Sequence, residues 1–319
     1  MSLTKIINNI VEANLLVICS DYPIEKENAE AKLLSFQLKS INKAFNNIIL
    51  LPTVRIKKEN IIPGLRHSVI YNFRQFKVLF LFYFLNNIHF LFNDIQKIKL
   101  SKIFIYSFIK SFTAYSKSIF IYTFLKDYLK TNNLIHNTSI YSFWFNDFTL
   151  GALLLKKQYP NIKIFTGAHG HDLFPERHIG KRIPYRETSI NLLDQVIVCS
   201  NEGIKYLKSK YPKFKNKFKL VNSGINKKNF KVKTSDDGIF RILTLSRTSP
   251  VKRISYLLNT LKKIESFSDF KIEYFHIGGD NVKGESGLQN LKNLSRKLDF
   301  NRFKITFLGK ISDLELETF

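Results

Sequence analysis

The stretch FRILTLSRTSPVKRISYLL (residues 240–258) runs from a nearly unbroken apolar segment, through a short cationic turn, into residues with helical periodicity. A strand exposed on one face alternates apolar and polar residues, whereas a strand buried on both faces of a parallel sheet reads as a continuous apolar run. FRILTLS (240–246) is closer to the second kind. Arg247 follows it at once, Lys252 comes shortly after, and a helix is predicted to begin near Ile254. Two cations and the unpaired N–H groups of a helix start therefore meet at the carboxyl edge of a parallel sheet. Such an edge suits a phosphate or pyrophosphate: the N–H groups and helix dipole attract the anion, and Arg and Lys neutralise it.

The same pattern repeats outward. Strands are predicted at 14–19 (NLLVIC), 47–50 (NIIL), 139–145 (SIYSFWF), 161–166 (NIKIFT), 195–200 (QVIVCS), 218–221 (FKLV), 271–278 (KIEYFHIG) and 303–309 (FKITFLG), most of them followed by a helical stretch. This alternation predicts a doubly wound α/β chain. The polar segment NKKNFKVKTSDDG (226–238) lacks periodicity and ends in the turn former Asp237-Gly238. It divides the chain into residues 1–230, with a helical insertion over about 65–130, and residues 231–319. Near the C-terminal end, SDLE (312–315) opens a further helix, with Ser312 as N-cap and Glu315 as its capping-box partner. Three parallel strands leave an uncovered edge of the kind native sheets avoid, so the second domain is expected to be incomplete.

Composition narrows the partners. The net charge is +25, from 50 Lys+Arg against 25 Asp+Glu, which favours phosphorylated substrates, nucleic acid or an anionic membrane surface. Lys, Asn, Ile and Phe recur along the whole chain, as in proteins of AT-rich genomes, so the charge reads either as codon bias or as a functional feature. No helix-turn-helix, zinc-finger or RNA-binding signature is present, so nucleic acid is not expected. Cys19 and Cys199 each sit in an apolar run and read as small buried hydrophobes in a reducing compartment; the N-terminal stretch lacks the features of a secretory signal. A cytoplasmic protein is expected. VLFLFYFLNNIHFLFN (78–93) is free of charge but interrupted by Asn86, Asn87 and His89, too short to span a bilayer. With the following SKIFIYSFIKSFTAYSKSIFIYTFLKDYLK (101–130) it mixes aromatics and lysines at helical spacing. Two readings fit that mixture: helices lying on a membrane surface, or amphipathic helices covering a sheet.

Three further motifs stand at strand ends. GAHGHDLFPER (167–177) places His169, His171 and Asp172 together after a strand; HIGGDNVKGESG (276–287) places Gly278 and Gly279 at a strand-to-helix turn; LVNSGINKKNF (220–230) places Asn222 and Gly224 after the last strand of the first domain. Glycine at such turns allows either close approach to a ligand or simply a tight turn.

In order, HGHD (169–172), LLDQVIVCSNEGIKYL (192–207), VNSGINKKNF (221–230), RILTLSRTSPVKRISYLL (241–258), IGGD (277–280) and ITFLGKISDLEL (305–316) resemble the group 1 glycosyltransferases, the retaining family 4 with the GT-B fold of two Rossmann-like domains. The resemblance covers residues 160–319. It implies transfer of a hexose-type sugar from a nucleotide-sugar donor, held by the second domain, to a lipid-linked or polysaccharide acceptor, held by the first. No resident cofactor or metal is implied. Arg247 and Lys252 match the positions that hold the donor diphosphate, although the glycines beside them in the family are replaced here. His169 matches a histidine facing the donor sugar and Asp172 the acid after it, giving this pair the catalytic assignment, while His171 has no counterpart and reads as structural. Asn222, Gly224, Gly278 and Gly279 fall at donor-side cleft positions. The family's paired glutamates lie beyond the last motif matched, so transfer by this chain is expected to be impaired. The competing reading is a non-catalytic remnant that binds an acceptor, membrane or partner.

Overall fold

The computed structural model describes residues 14–20, 29–53, 67–70, 77–98, 102–222, 236–280 and 286–316. The chain forms two compact units, Met1–Asn226 and Lys227–Phe319. The expected domain boundary falls in the span 223–235, outside the described residues.

The first unit is built on β1 (Asn14–Cys19), β2 (Asn47–Pro52), β3 (His67–Val69), β4 (Thr138–Ser142), β5 (Ile164–Ala168), β6 (Gln195–Val198) and β7 (Phe218–Leu220). They form one sheet in the order β3-β2-β1-β4-β5-β6-β7, every pair parallel. Because side chains alternate across a strand, both faces of these apolar runs must be covered. Leu16, Ile18, Ile49 and Leu51 pack on one side of the sheet and Leu15, Val17, Ile48 and Leu50 on the other, all of them buried. The second face is closed by Leu34 and Leu38 of α1 (Ala29–Ile41). Between β3 and β4 come α2 (Lys77–Asn86), α3 (Ile88–Ile95) and the long α4 (Phe104–Thr131), whose Ile119, Ile121 and Leu125 join the first face. α5 (Asp147–Leu153) is capped by Asn146, whose Oδ1 accepts from the Phe148 N–H at 3.1 Å. α6 (Gly170–Leu173), α7 (Arg186–Leu192) and α8 (Asn201–Lys210) complete the unit.

The second unit holds β8 (Ile239–Leu245), β9 (Lys271–Ile277) and β10 (Lys304–Gly309), parallel, in the order β10-β9-β8. α9 (Ile254–Phe267) and α10 (Gly287–Leu298) pack on this sheet through Leu258, Leu261 and Leu291 against Ile272 and Tyr274. Leu243 and Leu245 of β8 remain exposed, 46% and 58%, so that strand alternates rather than being buried on both faces. The last described helix, α11 (Asp313–Leu316), starts as expected: the Ser312 N–H donates to Glu315 Oε2 at 2.7 Å and the Glu315 N–H to Ser312 Oγ at 3.2 Å.

Two expectations need correction. The helical insertion expected over about 65–130 has the short strand β3 near its start, and the strand expected at 139–145 ends at Ser142, so that Phe143, Trp144 and Phe145 belong to the loop beyond it.

Candidate functional site

The strand order of the first unit reverses between β1 and β4: chain segments after β1 lead toward β2 and β3, and those after β4 toward β5, β6 and β7. At such a switch point the connections diverge and leave a crevice outside the carboxyl ends of the strands, where doubly wound folds take their ligands. Three loops meet there. Glu30, in the first turn of α1 and only 8% exposed, accepts from the Ser20 N–H through Oε1 and from the Trp144 indole N–H through Oε2, both at 2.6 Å. This carboxylate thus ties the end of β1 to the end of β4. Trp144 stands edge-on to His169 at 5.0 Å between ring centroids, and Phe143 lies at 4.7 Å on a tilted ring, so the imidazole is held between two aromatics.

His169 precedes α6 with extended backbone, φ −115°. Its N–H donates to Asp172 Oδ1 at 2.5 Å, while Asp172 Oδ2 accepts from the Phe145 N–H at 2.6 Å. Asp172 is 6% exposed. With both oxygens accepting from backbone donors, Asp172 ties His169 to the Phe143–Phe145 loop. Arg186, also buried, stacks over the Phe145 ring at 3.6 Å and donates through Nη2 to the carbonyls of Phe145 at 2.9 Å and Asp172 at 2.5 Å. Desolvation lowers its pKa to about 10, which leaves it charged at neutral pH.

Burial pushes the His169 pKa below the ordinary histidine value, against the pull of Asp172, the Phe143 backbone and Glu30. The ring is neutral at neutral pH. Its Nε2 is buried and has no hydrogen-bond partner among the described residues, a state that costs about 1–3 kcal/mol until a donor or acceptor reaches it. Gly167 makes room for the ring, since a Cβ there would lie 2.6 Å from the Phe143 carbonyl oxygen and 3.1 Å from His169 Nε2. His171, by contrast, is exposed; its carbonyl contacts His178 Nε2 at 2.8 Å and its ring lies 4.8 Å from that of His178. Asn222 is exposed just beyond β7, and Gly224 lies outside the described residues.

In the second unit, Arg247 and Lys252 are both exposed at the carboxyl edge of β8. A 3-10 turn over Pro250–Lys252 carries Lys252 to the start of α9, where Arg253 sits in the left-handed region at φ 56°. Gly278, at φ 133°, is required by the close approach of two strand ends: a Cβ there would fall 1.9 Å from the Ser246 carbonyl oxygen. Gly279 accepts from the Thr248 N–H at 3.3 Å. Asp280 accepts from Thr248 Oγ1 and, at 3.0 Å, from the Leu288 N–H, binding the turn after β8 to the start of α10. IGGD is thus the joint that fixes the cationic turn. A surface pocket of about 320 Å³ lined by Lys271, Glu273, Arg302 and Lys304 lies at the opposite, amino edge of this sheet.

Similarity to solved structures agrees with this architecture. The N-terminal domain of a Candida albicans trehalose-6-phosphate phosphatase aligns over 96% of this chain and 74% of its own, at 11% identity and a TM-score of 0.60. The apo lipopolysaccharide outer core galactosyltransferase WaaB aligns over 95% and 70%, at 12% identity and 0.57. The fold is of the GT-B type. Anabaena HepE in complex with UDP-glucose shares it, with 94% and 70% covered, 14% identity and a TM-score of 0.52. No family model and no curated protein sequence matches this chain. Among the described residues of this GT-B-type chain, no group of three or more His, Cys, Asp or Glu is placed to hold a metal ion, and no helix is long and apolar enough to cross a membrane.

Sequence reading missed Glu30, Trp144, Arg186 and Asp280 as parts of these two edges. Trp144 carried a usable signal, being the one tryptophan of the chain and standing at the end of an apolar run.

Proposed function

We propose that the chain belongs to a glycosyltransferase that moves a hexose-type sugar from a nucleotide-sugar donor to a lipid-linked or polysaccharide acceptor, with retention, at the cytoplasmic membrane face. The observation that carries this reading is His169: a neutral imidazole clamped at the switch-point crevice of a GT-B-type fold, with a buried ring nitrogen that no described residue satisfies. A sugar hydroxyl is a fitting partner, being both donor and acceptor, and the half-buried Trp144 beside it offers an apolar ring face of the kind that sugar C–H groups cover. Similarity to HepE, solved with UDP-glucose, supports a nucleotide-sugar donor.

The difficult event is breakage of the bond between the anomeric carbon and the diphosphate, which leaves the electron pair and a growing negative charge on the leaving group. Groups already aimed at that charge stabilise it with little reorganisation. Arg247, Lys252 and the N–H groups at the start of α9 are assigned this role, and in this reading no resident metal is needed. Asp172, Glu30 and Arg186 position the crevice and do not touch the reacting atoms.

The test is transfer from UDP- and GDP-hexoses to lipid-linked and polysaccharide acceptors by the enzyme that includes the family's paired glutamates, with products read by mass spectrometry. Arg247→Ala is expected to lower the rate about 100-fold, the scale seen on removing one charge-stabilising group. An undiminished rate in that variant would reject the diphosphate assignment, and His169→Asn with full activity would reject the role of the imidazole.

A further inference from the structure

α4 is inside out over its first three turns. Ser107 and Ser111, 6% and 0% exposed, face the protein, whereas Ile105 and Ile109 face outward at 72% and 56%. A helix lying against a core in water shows the reverse pattern. The buried serines have a purpose: Ser111 Oγ donates to Asp94 Oδ2 at 2.8 Å and accepts from Arg182 Nη1 at 2.8 Å, and Arg182 also pairs with Asp94. This polar network anchors α4 to α3 and to the segment before α7, and turns the apolar residues out.

The outward patch continues onto the neighbouring helix. Phe84 of α2 contacts the Phe112 ring at 5.8 Å, and beside it Leu81 and Leu85 are exposed, 61% and 57%. From Lys77 to Lys126 the sequence has seven lysines and one acid, Asp94, which is buried and paired with Arg182. Lys97, Lys102 and Lys117 of the same segment are exposed; Lys97 and Lys117 make long ion pairs with Glu187 at 3.9 Å and Asp147 at 4.0 Å. An apolar face on a segment whose exposed charges are lysines matches an anionic bilayer surface. It does not match itself: on a second copy the lysines of the two faces would oppose one another.

The fold also places this face at the edge that carries His169. α4 leads into β4 through residues 132–137, so it runs antiparallel to the sheet and its first turns lie toward the carboxyl edge. Its 28 residues span about 42 Å, against about 17 Å for the five of β4, so those turns overshoot the sheet. Ile103, just before α4, would lie 3.3 Å from a Cβ at Gly180, in the loop that follows α6.

We propose that the outer faces of α2 and the first three turns of α4 dock the chain on an anionic lipid bilayer, lying on it and not crossing it, with the switch-point crevice turned toward the lipid surface. This specifies the membrane surface for the function proposed above, and it rests on that reading only for the lipid nature of the acceptor.

The experiment is co-sedimentation of the full chain with phosphatidylcholine vesicles, with and without phosphatidylglycerol, compared with the double variants Ile105→Ser/Ile109→Ser and Leu81→Ser/Leu85→Ser. Both leave the net charge unchanged, and circular dichroism checks the fold of each. Wild type is expected to sediment with the phosphatidylglycerol vesicles, and a folded double variant to partition about ten-fold less or weaker, the scale of burying a large apolar side chain. Sedimentation of a folded double variant equal to wild type would mean that charge alone holds the chain and would overturn the proposal. A wild-type dimer that the same substitutions convert to monomer, without vesicle binding, would assign the face to a second copy instead. Transfer to a water-soluble acceptor by the enzyme that includes the family's paired glutamates is measured alongside. Its loss with vesicle binding intact removes the transferase reading alone, and the converse removes only the membrane surface.

Discussion

Asp172 acts through two backbone amides contributed by different strand ends, Phe145 after β4 and His169 after β5. An amide in its place turns one acceptor into a donor that faces an N–H. Asp172→Asn is therefore expected to destabilise the fold by about 1–3 kcal/mol, the cost of leaving a buried backbone donor unsatisfied, and to loosen the clamp on His169. A urea denaturation midpoint equal to that of the wild type would contradict this. The pair was legible in the sequence because its partners are three residues apart, within one turn of chain. Glu30 was not, since its indole partner Trp144 is 114 residues away and only the sheet brings them together. Arg247 and Lys252 were legible for the same local reason as Asp172: a strand end, a turn and a helix start follow one another without interruption.

Nine of the ten described strands coincide with apolar runs in the sequence; in the first unit the reason is that strands of a covered parallel sheet have little choice but to be apolar, whereas β8 is apolar although one face is exposed. β3 escaped because it has three residues, two of them His67 and Ser68, and leaves no run to detect. β5 was expected at 161–166 and lies at Ile164–Ala168; Gly167 and Ala168 lack the bulk that marks a strand, and Gly167 is small where the His169 ring needs space. α9 is tied to the segment before β10 through one side chain. Glu265, on that helix and 4% exposed, takes the Lys262 ammonium at 2.8 Å and the N–H groups of Arg302 at 2.7 Å and Phe303 at 2.9 Å. Desolvation alone would raise its pKa, but these three partners outweigh it and hold the carboxyl at about 2. A depressed carboxyl stabilises the fold above its unfolded value of about 4.3 and loses that contribution as the pH falls toward 2. Glu265→Gln is expected to cost about 2 kcal/mol at neutral pH, with the gap to wild type closing below about pH 4. Paired urea titrations at the two pH values measure it, and a gap that is independent of pH would refute the carboxylate's role.

Across the whole chain, four of the seven histidines, His89, His169, His178 and His276, have pKa values lowered from the ordinary one, burial being the largest cause in each. The folded state thus binds fewer protons than the unfolded state between each lowered value and about 6.5, so stability rises with pH across that window and falls as the solution is acidified through it. Every proton taken up also adds to a net charge already at +25, and self-repulsion disfavours the compact state further. These two effects have the same sign and precede the loss of carboxylate pairs such as Glu265. The thermal midpoint is expected to drop between about pH 7.5 and about pH 5.5, with added salt recovering the self-repulsion part and leaving the burial part in place. His276, fully buried with Nε2 unsatisfied among the described residues, separates the two contributions. His276→Gln removes a titrating group without changing the charge at neutral pH, so it should flatten the pH dependence while the salt-sensitive part persists; a variant as steep as wild type would remove His276 from the groups responsible.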